Sequence, residues 1–80
     1  MSVSEAVINA LVKVTGTDAN ELNENQNFDL IENDIIDSLS IVAMLEDIEQ
    51  SLKCRLDIGD FDGEDFTSVN TIVAAVSKKV

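Results

Sequence analysis

Eighty residues carrying a formal net charge of −11 describe a single domain over 1–80 whose core must be thin, and a field that repels nucleic acid and anionic membrane while attracting basic protein surfaces. With no histidine and one cysteine, the chain has no Ser-His-Asp or Cys-His machinery, no intrachain disulfide and no cysteine-built metal site. The N-terminal residues lack the basic flank and apolar core of a signal peptide, and no apolar run nears the ~20 residues of a membrane span, so a monomer without membrane insertion in a reducing cytoplasm is expected.

The first helix is marked at both ends. Ser2 and Glu5 have the spacing of a capping box. Val3, Val7, Leu11 and Val14 follow at helical steps, Lys13 suits the last turn, and Gly16 can take the left-handed conformation beyond it. Residues 17–37 read as a long connection rich in asparagine, which favours turns. A connection of this length is usually functional. Phe28, Leu30, Ile31, Ile35 and Ile36 are its expected apolar anchors.

The second main helix is predicted from about Ser38 to Leu52, with Ile41, Leu45, Ile48 and Leu52 on its apolar face and Leu39, Val42 and Met44 widening it. Asp37 or Ser38 supplies the N-cap, and Asp37 complements the positive helix end. Glu46, Asp47 and Glu49 are expected largely on the solvent face. Residues 53–63 read as a loop with Leu56, Ile58 and Phe61 dipping into the core, followed by a short helical turn at Glu64–Phe66. A last helix starts near Ser68 and carries Val69, Ile72, Val73, Val76 and Val80 as a stripe, with Lys78 and Lys79 near its end. Valine is a weak helix former, so this helix needs packing for stability. The expected fold is all-α: a small four-helix bundle of three main helices and one short one, with a long loop between helices one and two.

Acids are concentrated where bases are absent. Between Lys13 and Lys53 there is no basic residue, while Asp18, Glu21, Glu24, Asp29, Glu32, Asp34, Asp37, Glu46, Asp47 and Glu49 lie in that interval. Carboxylate pairs could do acid–base work only in a pocket that raises one pKa, and a chain this small offers none; it is not expected to be an enzyme. Asp60-Phe61-Asp62-Gly63 lacks the third ligand and the bidentate Glu of a calcium loop and reads as a polar turn, so no metal site is expected. Cys54, between Lys53 and Arg55, reads as a small, partly buried residue.

Asp37-Ser38-Leu39 stands where the acidic loop meets the helix. A hydroxyl there, without a base beside it, has the look of an attachment point. In this setting the chain resembles the acyl carrier protein family, which uses D-S-L or D-S-M to attach 4′-phosphopantetheine. Phe28 to Leu39 is similar to that family's approach to its modified serine, except that the usual Gly near Asn33 or Asp34 is missing. The resemblance implies a covalent 4′-phosphopantetheine, donated from coenzyme A, on Ser38, with Asp37 and Leu39 flanking it.

The C-terminal half is similar to D-alanyl carrier proteins of teichoic acid synthesis in Asp60-Phe61, Asp65-Phe66, Ser68, Asn70 and Ile72. Phe66 stands where those proteins usually have Trp, and Ser40-Ile41 where Gly-Thr is common. The implied partners are a phosphopantetheinyl transferase and a loading ligase or acyltransferase with a basic docking surface. Asp37, Glu46, Asp47 and Glu49 are the expected contact charges, although Ala43 stands where relatives often have an acid. The implied cargo is an acyl or aminoacyl thioester, with D-alanine the leading candidate and a fatty-acyl or peptidyl cargo as the alternative. From another class, an acidic interaction module that is never modified remains open.

Overall fold

A computed structural model describes residues 1–80. The chain forms four α-helices, α1 (Val3–Thr15), α2 (Ala19–Glu24), α3 (Ser38–Leu52) and α4 (Val69–Ser77), with 3-10 turns at Ile58–Asp60 and Gly63–Phe66 between the last two. It contains no strand, so the expected all-α bundle class holds.

The α1 ends follow from its sequence. The Glu5 N–H donates to Ser2 Oγ at 3.1 Å and the Ser2 N–H to Glu5 Oε1 at 3.2 Å, so two otherwise unpaired donors are satisfied reciprocally. Gly16 closes the helix at φ 75°, where a Cβ would be strained. The apolar stripe of α1, with Ala6, Val7, Ala10 and Leu11 fully buried, packs chiefly against α3 and then α4. Ser68 caps α4 by accepting from the Thr71 N–H at 3.3 Å. Its valine-rich stripe is held by burial of Val69, Ile72 and Val76, which offsets weak intrinsic propensity.

One core of sixteen buried residues joins all the helices, and Leu11, Leu30, Met44, Ile48 and Ile72 are sealed from solvent. Each such side chain stabilises the fold by about 1.5–3 kcal/mol through burial. Truncating Ile48 to Ala would cost about 2–5 kcal/mol because the void could not fully collapse.

Several local expectations change. The first connection is not without helix: α2 lies inside it, started by Asp18, whose Oδ1 accepts from the Asn20 N–H at 2.8 Å, and held down by buried Leu22. Six residues cannot sustain a helix alone, so α2 depends on a tertiary anchor that the asparagine-rich sequence conceals. The short helical turn expected at 64–66 is the 3-10 turn Gly63–Phe66, in which the Asp62 N–H donates to Asp65 Oδ2 at 2.9 Å.

Of the five expected loop anchors, Leu30 and Ile36 are buried and Ile35 packs against the core, whereas Phe28 and Ile31 are exposed. The cause is a tight turn. Asp29 Oδ1 accepts from the N–H groups of Ile31 and Glu32 at 3.0 and 2.8 Å, so the Leu30–Ile31 pair cannot both face inward. Leu56 is buried and Phe61 half-buried as expected, but Ile58 stands exposed at the start of its 3-10 turn. Leu39, Val42 and Val80 are likewise exposed rather than part of the apolar faces that their spacing suggests.

Candidate functional site at the start of helix α3

Asp37, not Ser38, caps α3. Its backbone is extended, and its Oδ1 accepts from the Ser40 N–H at 2.9 Å. That hydrogen bond, with the Ser40 hydroxyl as a second contributor, holds the Asp37 carboxyl below its ordinary value. A carboxylate so stabilised is a poor proton acceptor. Ser38 is the first helical residue, exposed, with its hydroxyl not needed for the cap; Leu39 beside it is 82% exposed.

The approach to Ser38 is held by backbone. The Leu30 N–H donates to the Thr67 carbonyl at 2.7 Å, and the Leu30 carbonyl accepts from the N–H groups of Ile35 and Ile36 at 2.9 and 3.3 Å. Asn33 Nδ2 donates to the Asp29 carbonyl at 2.7 Å. Asp34 is left-handed at φ 56°, which accounts for the sequence position where the resembling family usually places Gly. Aspartate tolerates this region better than most residues, so the turn forms without glycine.

A groove of about 500 Å³ runs beside the lower part of this helix face. Ser38, Val42, Leu45, Glu46 and Glu49 are spaced to share one side of α3, and the last four line the groove, opposite Arg55–Ile58 and Asp60. An arm attached at exposed Ser38 would therefore start about one helical turn from the groove and not against a packed surface. The positive end of the α3 dipole also suits a phosphodiester at that place. The residues present fit a phosphopantetheine arm.

The three acids expected on the solvent face of α3 divide. Glu46 is exposed. Asp47 is half-buried and its Oδ1 lies 3.1 Å from Lys13 Nζ on α1, while its Oδ2 is buried without a partner. Glu49 is half-buried too, and its Oε2 accepts from the Leu56 N–H at 2.8 Å. The helix stripe alone could not reveal this, because the partners Lys13 and Leu56 come from other segments. The same holds for the groove wall of Arg55, Asp57 and Asp60, which no local pattern marks as facing Val42 and Glu46 of α3. Phe61 and Phe66 pack with ring centroids 5.4 Å apart, Phe66 buried and Phe61 half-buried. Cys54 is half-buried. No helix is long and apolar enough to cross a membrane.

Comparison with known proteins gives two findings. The sequence profile described as a phosphopantetheine attachment site matches residues 5–76. The chain is 37% identical over 76 residues to the D-alanyl carrier protein of Enterococcus faecalis, an alignment that covers 95% of each chain.

Proposed function

The chain belongs to the phosphopantetheine-attachment family of carrier proteins, and from that premise we propose that Ser38 bears the arm and that the cargo is D-alanine. Carriers of this kind hold covalent 4′-phosphopantetheine and are not themselves catalytic. The observation that carries the attachment site is the exposed Ser38 at the first position of α3, outside the cap and four residues before Val42, the first groove-lining residue of that helix. When bound, the arm supplies a thiol on which a thioester can form, reach and leave successive enzymes.

The chain's own part is to present and to dock. The carboxylate adjacent in sequence, Asp37, is committed to the Ser40 N–H, so the base that takes the Ser38 proton comes from a separate phosphopantetheinyl transferase using coenzyme A. Glu46 is the α3 charge free to meet a basic enzyme surface, joined by exposed Asp37; Asp47 and Glu49 are drawn into the fold. Charge steering of this kind favours fast, reversible encounters, which a carrier passed between enzymes requires.

D-alanine is supported by the relative's name and by the groove. Buried Leu45 and Leu56 give it some apolar wall, but Glu46, Arg55, Asp57 and Asp60 also line it. A fatty chain there would leave methylenes beside charged groups, forgoing about 0.8 kcal/mol for each one not sequestered. A small ammonium-bearing cargo needs no such enclosure. The deciding experiment is mass measurement of the chain after incubation with coenzyme A and a transferase, then with a D-alanine ligase, D-alanine and ATP. One phosphopantetheine on Ser38, followed by one alanyl group on the thiol of that arm, is expected, and modification at another residue, or none, would refute the assignment.

A further inference from the structure

We propose that Asn70 is a positioning residue for the modification of Ser38, latching the first connection to the start of α4 so that the serine is presented in one pose. The proposal rests on the reading of Ser38 as the attachment site.

The first turn of a helix has backbone N–H groups without intrahelical partners. In α4, Ser68 serves the Thr71 N–H. The Asn70 N–H instead crosses to the Gln26 carbonyl at 3.0 Å, and its side chain follows: Asn70 Nδ2 donates to Asn27 Oδ1 at 2.6 Å. Thus one residue grips two consecutive positions, Gln26 and Asn27, of a segment distant in sequence. Three residues before Asn70, the Thr67 carbonyl takes the Leu30 N–H at 2.7 Å. The segment 26–30 is therefore docked on 67–70 at both ends.

From Leu30 the path to Ser38 is short and hydrogen-bonded. The Leu30 carbonyl accepts from Ile35 and Ile36, Ile36 is buried, and Asp37 then caps α3. Ser38 itself makes no part of this framework, so its place depends on what holds residues 26–36. Asn27 and Asn70 are both exposed, and their side-chain pair is dispensable for core packing. That separates a positioning role from a folding one. Alanine is also a better helix former than asparagine, so Asn70→Ala has no intrinsic reason to weaken α4.

A transferase that binds only the latched form would meet a smaller competent fraction once the latch is lost, which raises KM and spares kcat at saturation. The test measures initial rates of phosphopantetheine transfer from coenzyme A against carrier concentration, read by intact mass, with the site verified by peptide mapping. Asn70→Ala should raise KM by up to about five-fold, the ceiling set by the loss of one hydrogen bond of typical net strength, with kcat unchanged. Asn27→Ala should match it, and the double variant should be no worse than either, since the two side chains form one interaction.

Asn27→Asp keeps the accepting oxygen and should restore KM to within about two-fold of the parent. Amide exchange at Leu30 and Ile36 should quicken in both alanine variants, while Ile48 in α3 keeps its protection. Unchanged KM in both alanine variants, multiplied effects in the double variant, or an Asn27→Asp variant as poor as Asn27→Ala would each overturn the latch while leaving Ser38 as the site. Transfer to a residue other than Ser38 in the parent chain would instead overturn the underlying reading together with the latch.

Discussion

The amide of Leu30 donates to the carbonyl of Thr67 across 2.7 Å. This single bond ties the connection that leads to Ser38 to the segment that launches α4. Leu30 is fully buried, so the bond lies over a side chain that is itself an anchor in the core. The start of α3 is thereby referenced to the bundle through a backbone bond, to which the Asn27–Asn70 side-chain pair adds a second tie.

Ser38→Ala should abolish phosphopantetheine addition and leave the fold intact. Since Asp37 supplies the cap, the substitution removes no capping bond. A surface change of this kind stays within about 0.5 kcal/mol. Intact mass and thermal melting check both halves, and added mass in Ser38→Ala would reject the site.

Asp37 should contribute to stability in a pH-dependent way. Its carboxyl is held below the ordinary value by the Ser40 hydrogen bonds, so the folded state favours the ionised form. That stabilisation is present above the unfolded value of about 3.9 and is lost as pH falls through the lower folded value. Asp37→Asn keeps an oxygen acceptor but no charge. Its Tm should lie below that of the parent at pH 7, and the two should converge as the solution is acidified past that window. A constant gap across the titration would exclude the carboxylate as the source.

Glu46 and the Lys13–Asp47 pair should behave differently when altered. Glu46→Lys should slow modification about three-fold at low salt by weakening electrostatic steering, with little change in Tm. The deficit should fade toward roughly 1 M salt, where the Debye length is about 3 Å. Lys13→Met should instead lower stability by about 0.5–1 kcal/mol, since it leaves the Asp47 carboxylate half-buried without its partner. A Glu46→Lys variant modified as fast as the parent at low salt would show that Glu46 serves solubility and not docking.

Thioesters of D-alanine and of a long fatty acid, loaded chemically on the phosphopantetheinylated chain, should both leave Tm nearly unchanged. The groove beside α3 is open and partly charged, and sequestration of a chain would have to show as stabilisation at about 0.8 kcal/mol per methylene. A clear rise in Tm with the fatty chain alone would point to a lipid cargo.

Two non-glycine residues bracket the α3 region in left-handed conformation, Asp34 at φ 56° and Lys53 at φ 53°. Lys53→Gly should stabilise by about 0.5–1 kcal/mol through relief of Cβ strain, a rise of roughly 2–8 °C in Tm for a domain of this size. Asp34→Gly should gain less, because aspartate tolerates this region better. Asp34→Val should destabilise. Calorimetric melts rank the three.

Much of the molecule was legible from local pattern. The Ser2–Glu5 capping box, Gly16, the span Ser38–Leu52 and the Ser68 cap all express rules that act within a few residues, so sequence alone determined the helical class, three main helices and Ser38 at a helix start. The carrier reading also came from a short motif in its setting, and the family match is consistent with it. What tertiary structure decided is which member of each local set does what. Asp37 rather than Ser38 takes the cap; Leu30 and Ile36 rather than Phe28 and Ile31 enter the core; Glu46 remains exposed while Asp47 meets Lys13 and Glu49 meets Leu56. Helix α2 and the Asn27–Asn70 pair were equally hidden. The reason is one of range: helix periodicity and caps depend on neighbours within one or two turns, whereas burial and charge pairing depend on groups brought together from distant parts of the chain only when the bundle closes.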